Sequence, residues 1–268
     1  MISEIFKITD DSEVSLTSYI SDISEEMKNM KTKPAILVLP GGAYKFCSDR
    51  EAEPVALAYL AKGFNAFVLR YSLNEKAAFP TPLNDAQKAM AFIRKNAEKF
   101  HTDPRKIAVI GFSAGGHLAA ALSTMSEDKP DACILGYPCI LDSTSPILAK
   151  PVESVDKYVT SKTPPTFIFA ASNDGCVPII NSLKYAEALD KNGIGFEMHI
   201  FNDGDHGFSL GTDVVCSTQT GREAVDRILI GSNVRQSGLK QFFHNDFSLG
   251  VDNFTVFLYN KSLKFRSY

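Results

Sequence analysis

Tryptophan is missing from all 268 residues, and the five cysteines form no CxxC pair and no Cys/His ligand spacing. No uninterrupted apolar run approaches the roughly 18 residues of a membrane-spanning helix. The N-terminus, "MISEIFKITDDSEVSLTSYI", has acidic and polar residues where a secretory signal needs a basic stretch followed by an apolar one. Strong charge of either sign is absent too: the net charge of -3 gives no general electrostatic reason to bind nucleic acid or an anionic membrane. The default expectation is a cytoplasmic protein with no nucleic-acid or membrane partner. Because Cys47, Cys133, Cys139, Cys176 and Cys216 are odd in number and scattered, reduced thiols are expected, not a disulfide framework or a metal site. Cys133 and Cys139 sit in apolar runs and read as small core residues. Internal repeats and low-complexity tracts are also absent.

What is present is an ordinary globular composition, 44% hydrophobic and 22% charged, on a chain long enough for one large domain. Six short apolar segments, "AILVLP", "FNAFVLRY", "KIAVIGF", "ACILGYP", "TFIFAAS" and "FEMHIF", read as strands, several of them apolar throughout as strands covered on both faces should be. Between them lie helical patterns: "EPVALAYLAKG" with Gly63 as its stop, "NDAQKAMAFIRKNAEKF" with Asn84 as N-cap, "AGGHLAAALSTM", and "IINSLKYAEALDKNG" with Gly193 as its stop. The alternation implies an α/β fold, a mainly parallel sheet with helices on both faces and functional loops at the carboxyl ends of its strands. Residues 1–210 form the expected core, with 141–164, rich in Ser, Thr and Pro, as a loop or lid insertion. Residues 211–268 break the rhythm: "TGREAVDRILI" fits a helix and "FTVFLYNKSLKF" a strand.

Gly111-Phe112-Ser113-Ala114-Gly115 matches G-x-S-x-G where a strand ends and a helix begins. A serine displayed on such a sharp turn needs small residues two positions away on each side, and the helix behind it aims free N–H groups at the reaction centre. The pattern alone also fits a tight strand-helix turn or a phosphate-binding loop. A serine hydroxyl needs a base and the base an orienting acid. Of five histidines, His206 lies in the polar loop "FNDGDHGFSL" after the last clear strand; His117, on the helix behind Ser113, reads as structural, while His199 falls inside a strand, His101 at a helix end and His244 in the tail. Asp174 follows "TFIFAAS", where the bland alternative is an Asp-Gly turn. Asp203 and Asp205 are too close to His206 in sequence to orient it and read as loop-shaping residues, and Cys176 as incidental. The order Ser113, Asp174, His206, with each residue after a different strand, is that of a hydrolase triad. Upstream, "LVLPGGAY" places Gly41 and Gly42 after the first long apolar strand, so the amides of Gly42 and Ala43 can join that of Ala114 as oxyanion donors. Tyr44, Phe112 and Phe208 are candidate lining residues.

With these residues assembled, the chain resembles the α/β-hydrolases, specifically the bacterial esterase/lipase-like group related to acetyl esterases and acetylxylan esterases. The resemblance is carried by "LPGGAY", "GFSAGGHLAA", "TPPTFIFAASNDGCVPIINSLKYAEAL" and "DGDHGFSL". It implies Ser113 as nucleophile, His206 as base, Asp174 as acid, and hydrolysis of short-acyl esters, with acetylated sugars among the substrates and no cofactor. The chain departs from the family twice. Pro40-Gly41-Gly42-Ala43 stands where lipase relatives have His-Gly-Gly-Gly, and the tail lacks the closing amphipathic helix that usually covers one sheet face. Two rival readings are an amide, formamide or peptide hydrolase on the same fold and a non-catalytic ligand-binding protein. The prolyl-peptidase kind adds a propeller domain too large for this length.

Overall fold

The computed structural model describes residues 1–27, 31–202 and 204–211. Its strands are β1 (Ile2–Lys7), β2 (Ser15–Ile20), β3 (Lys33–Leu39), β4 (Asn65–Arg70), β5 (Thr102–Phe112), β6 (Ala132–Gly136), β7 (Thr166–Ala171) and β8 (Phe196–Phe201). Its helices are α1 (Glu53–Ala61), α2 (Thr81–Lys95), α3 (Ala114–Met125) and α4 (Ile180–Lys191). One sheet runs in the order β1-β2-β4-β3-β5-β6-β7-β8. β1 pairs antiparallel with β2, and β2 with β4, whereas all pairings from β4 through β8 are parallel. The parallel strands therefore deliver their carboxyl ends to one edge, as the alternating pattern implied.

Each strand's side chains alternate between faces. Ala35, Leu37 and Leu39 of β3 pack with Met90 and Ile93 of α2, Leu118 and Leu122 of α3, and Tyr185 and Leu189 of α4. Ile36 and Val38 face the other way, with Val55 and Tyr59 of α1. Burial on both faces is why the central strands read as unbroken apolar runs. At the edge the same logic hides a strand: β1 is exposed along nearly its whole length, and β2 mixes Ser and Thr into its alternation, so this hairpin left no apolar signature.

Three boundaries differ from expectation. Helix α2 starts at Thr81, so Asn84 lies inside its first turn and is not its cap; Pro82 is tolerated there because a first-turn N–H has no helical acceptor to lose. The residues after Lys95 form turns instead of extending that helix to Phe100. β5 begins at Thr102, four residues early, because Lys33 pairs with Thr102 ahead of a register shift. The expected stops at Gly63 and Gly193 hold. Both glycines have positive φ, +89° and +68°, and in each case the next residue's N–H bonds back to the carbonyl five residues earlier, Phe64 to Tyr59 and Ile194 to Leu189.

Residues 141–164, the expected insertion, contain two 3-10 turns, Asp142–Ile147 and Val155–Tyr158, docked on the core. The Asn181 side-chain oxygen accepts from the Ile140 and Leu141 amides, and the Val155 amide bonds to the Ile140 carbonyl. Ala149 donates to the Ala43 carbonyl, which ties the insertion to the glycine loop after β3. The expected helix at 220–230, the expected strand at 254–265, Cys216, His244 and Asp203 lie outside the described residues. Among the described residues, no helix is long and apolar enough to cross a membrane.

Candidate active site

Ser113 sits between β5 and α3 with φ 52° and ψ -118°, a left-handed conformation that costs a non-glycine residue about 1–3 kcal/mol. The surrounding glycines are required by contact. A Cβ on Gly111 would lie 2.1 Å from the Gly115 carbonyl oxygen, and one on Gly115 would lie 2.1 Å from the Leu39 oxygen and 2.4 Å from that of Pro40. Those obstacles are backbone, so no rotamer change relieves them. The same small residues that permit the turn bring the loop after β3 against it.

The structure joins three of the expected residues in one hydrogen-bonded chain. His206 Nε2 is 2.9 Å from Ser113 Oγ, and His206 Nδ1 is 2.7 Å from Asp174 Oδ2. A carboxylate only accepts, so Nδ1 carries the hydrogen and Nε2 is left to accept from the serine hydroxyl. The other Asp174 oxygen accepts from the amides of Cys176, at 2.8 Å, and Val177, at 2.9 Å. Its side chain is 1% exposed, so this bonding compensates a buried charge. The Asp-Gly turn reading and the orienting reading thus describe one residue using two different oxygens. Asp205 accepts from the His206 amide and shapes the loop, as expected.

The loop after β3 takes positive φ at three consecutive positions, +123° at Gly42, where glycine allows it, and +58° at both Ala43 and Tyr44, where a Cβ makes it strained. The Gly42 and Ala43 amides find no acceptor among the described residues. Ala114 opens α3, where a first-turn N–H has no helical partner. The Gly41 amide, by contrast, donates to Glu51 Oε2 at 2.7 Å and is unavailable for another acceptor.

His117 is fully buried, which agrees with a structural role. Its Nε2 donates to the Glu153 carbonyl, and its Nδ1 accepts from the Tyr44 hydroxyl at 3.0 Å, linking α3, the glycine loop and the insertion. Burial pushes its pKa down to about 4, so the ring is neutral at pH 7. Two lining expectations need correction. Phe112 is fully buried against Tyr137 and Phe169, and Tyr44 against Tyr71 and His117, so neither ring presents surface to a ligand. Phe208 remains half-buried beside Tyr137. Cys139 lies 4.0 Å from Ser113 Oγ, but burial pushes its thiol up to about 12, which leaves it protonated. Cys47, Cys133, Cys139 and Cys176 are all free thiols. No group of three or more His, Cys, Asp or Glu among the described residues is placed to hold a metal ion.

A solved structure of an α/β-hydrolase enzyme, MGS-M1 from a Medee basin deep-sea metagenome library, matches this chain with 41% identity and a TM-score of 0.82, covering 97% of each chain. The chain belongs to the α/β-hydrolase family. A family model described as BD-FAE matches residues 21–143 of this hydrolase, and one described as the prolyl oligopeptidase family matches residues 148–220. Endo-1,4-beta-xylanase B of Butyrivibrio fibrisolvens is 35% identical over 221 residues, 71% of this chain and 35% of that protein. Acetylxylan esterase of Xylanibacter ruminicola is 31% identical over 200 residues, 66% of this chain and 42% of that protein. The hydrolase therefore spans well under half the length of these two curated relatives.

Sequence reasoning missed a second set of residues around this centre. Glu51, 3% exposed, takes the Gly41 amide on one oxygen and the Tyr137 hydroxyl on the other. That hydroxyl also accepts from the Ser209 amide, and Ser209 Oγ donates to the Arg50 carbonyl. "SDREAEP" is a charged stretch leading into α1, and nothing local marks Glu51 as the acidic residue turned inward.

Proposed function

We propose that this hydrolase cleaves short-acyl carboxylic esters, acetylated sugars among them, through an acyl-enzyme on Ser113. The observation that carries this reading is the Ser113–His206–Asp174 hydrogen-bonded chain, with both links under 3 Å. Ser113 Oγ attacks the ester carbonyl carbon while His206 Nε2 takes its proton, and Asp174 stabilises the imidazolium that forms. The tetrahedral oxyanion accepts from the amides of Gly42, Ala43 and Ala114. His206 then protonates the departing alkoxide, leaving an ester on Ser113, and a water activated by the same nitrogen releases the acid. A hydroxyl backed by an imidazole suits acyl transfer; glycoside cleavage would call for two carboxyl groups flanking a sugar ring. The acetyl preference rests on the relative named acetylxylan esterase.

The test is turnover of short p-nitrophenyl esters and acetylated xylose, with fluorophosphonate labelling located by peptide mass analysis and Ser113→Ala as control. Label on Ser113 and turnover falling with chain length support the proposal. A folded protein that binds acetylated sugars without turnover or label is a binding protein, and preference for formyl or aminoacyl amides moves it to the amidase class.

A further inference from the structure

The 3-10 turn Asp49–Glu51 stands between two loops that are far apart in the chain, one after β3 and one after β8, and must stay in register around Ser113. Toward the glycine loop, the Gly41 amide donates to Glu51 Oε2 at 2.7 Å, and the Ser48 amide donates to the Gly41 carbonyl at 2.9 Å. Toward the histidine loop, the Tyr137 hydroxyl donates to Glu51 Oε1 at 2.6 Å and accepts from the Ser209 amide at 2.9 Å. Ser209 Oγ donates to the Arg50 carbonyl at 2.8 Å, and a Cβ on Gly207 would come within 3.1 Å of the Arg50 guanidinium. The Tyr137 ring also lies edge-on to the His206 ring, 5.0 Å between centroids.

From this connectivity we infer that Glu51 is a positioning residue for the proposed ester hydrolysis. One carboxylate both turns the Gly41 amide away from the reaction centre, leaving Gly42 and Ala43 as donors, and fixes through Tyr137 the loop that carries His206. The inference rests on the proposed function for its kinetic consequence, but its structural consequence does not depend on turnover.

Both Glu51 oxygens receive hydrogen bonds, the pattern that suits a carboxylate. Burial raises its pKa above the ordinary glutamate value, while the Tyr137 and Gly41 hydrogen bonds and the nearby His206 and Arg50 charges oppose that rise. Among the described residues, the charged and titratable groups about His206 are Asp174 from the β7–α4 loop, Tyr137 after β6, Asp205 on its own loop, and Glu51 and Arg50 from the turn. A negative Glu51 therefore favours the imidazolium.

The experiment compares wild type, Glu51→Gln and Tyr137→Phe, first by NMR titration of the His206 ring and then by kinetics on a short p-nitrophenyl ester. Glu51→Gln keeps the shape and removes the charge, so the acid limb of kcat/KM and the NMR-titrated midpoint of the His206 ring should both move down relative to wild type. kcat should fall about ten- to a hundredfold with KM changed less than threefold. Tyr137→Phe should lower kcat by a similar factor without moving the pKa as far, and the double variant should lose less than the product of the two. Unchanged titration and kcat in a folded Glu51→Gln protein overturn the inference. If Glu51→Gln does not fold, the Tyr137→Phe kcat decides, and wild-type kcat there overturns it. A wild type without esterase turnover ends the functional proposal but leaves the His206 titration to judge Glu51.

Discussion

The serine turn and the histidine loop bring the two partners of one hydrogen bond together, yet they are held in place by different means. Around Ser113 the restraint is local and made of backbone: Gly111 and Gly115 let carbonyl oxygens approach to distances that any Cβ would forbid. Around His206 the restraint is remote and made of side chains, with Ser209 bound to Tyr137 and to Arg50 across 72 and 159 residues of sequence. A site can therefore have one half written in five adjacent residues and the other half distributed over the chain. Substitutions in the two halves should fail in different ways.

The largest effect is expected at the serine itself. Ser113→Ala removes the hydroxyl but leaves the backbone turn, so kcat/KM on a short ester should fall by about ten-thousandfold or more with the urea midpoint nearly unchanged. Activity within tenfold of wild type would show that the displayed hydroxyl is not the nucleophile. Next comes Gly115→Ala, whose Cβ would meet the Leu39 and Pro40 carbonyls. Overpacking against backbone should cost about 3 kcal/mol or more, read as a lowered urea midpoint, because the loop after β3 and the serine turn must separate. An unchanged midpoint would mean the two loops are not so tightly apposed.

His117 ties the serine half to residues 141–164 through Tyr44 and the Glu153 carbonyl and gives a third effect of similar size, one that varies with pH. Its folded pKa is about 4 against an ordinary value of 6.5. Between those two values an unfolded chain binds a proton that the folded one refuses, so stability is full above about pH 6.5, falls as the pH drops toward 4, and levels below it. The loss across that window is about 3 kcal/mol. Tyr44, Tyr71, Cys139 and Glu153 are ionisable groups beside this histidine and its Tyr44 partner, and Tyr44, Tyr71 and Cys139, all held protonated by burial, do not titrate there. Comparing urea midpoints at pH 7 and pH 4.5, His117→Gln should be weaker than wild type at pH 7 but lose less on acidification. An equal loss in both would assign the acid sensitivity to carboxylates elsewhere.

The contrast between the two halves also accounts for what could be read from the chain. The parallel strands announce themselves because burial on both faces leaves no polar position, and the serine turn because its glycines are adjacent. Asp174 and His206 follow from loop position at the strands' carboxyl edge. The β1–β2 hairpin escaped because an edge strand exposed along its length has no apolar period to detect. Glu51 and Tyr137 escaped for a different reason. An inward glutamate two residues before a helix with proline in its first turn looks like any solvated acid at a helix start, and only the fold brings the Tyr137 hydroxyl and the Gly41 amide to it. Phe112 and Tyr44 show the reverse error, since proximity in sequence to a functional loop does not make an aromatic ring part of its surface.

Ser209 gives the smallest expected effect and the finest distinction. Its Oγ holds the histidine loop by a bond that can be removed without touching Tyr137, Glu51 or the loop backbone. Ser209→Ala deletes the 2.8 Å bond to the Arg50 carbonyl, at a cost of about 1 kcal/mol. If the loop is held separately from the core, that cost falls on the closed position of His206. kcat should then drop three- to tenfold while the urea midpoint stays within error and amide exchange quickens at Gly207 and Phe208. If instead the midpoint falls and kcat is untouched, the histidine loop is as integral to the core as the serine turn, and the two halves of the site differ in sequence span but not in mechanical independence.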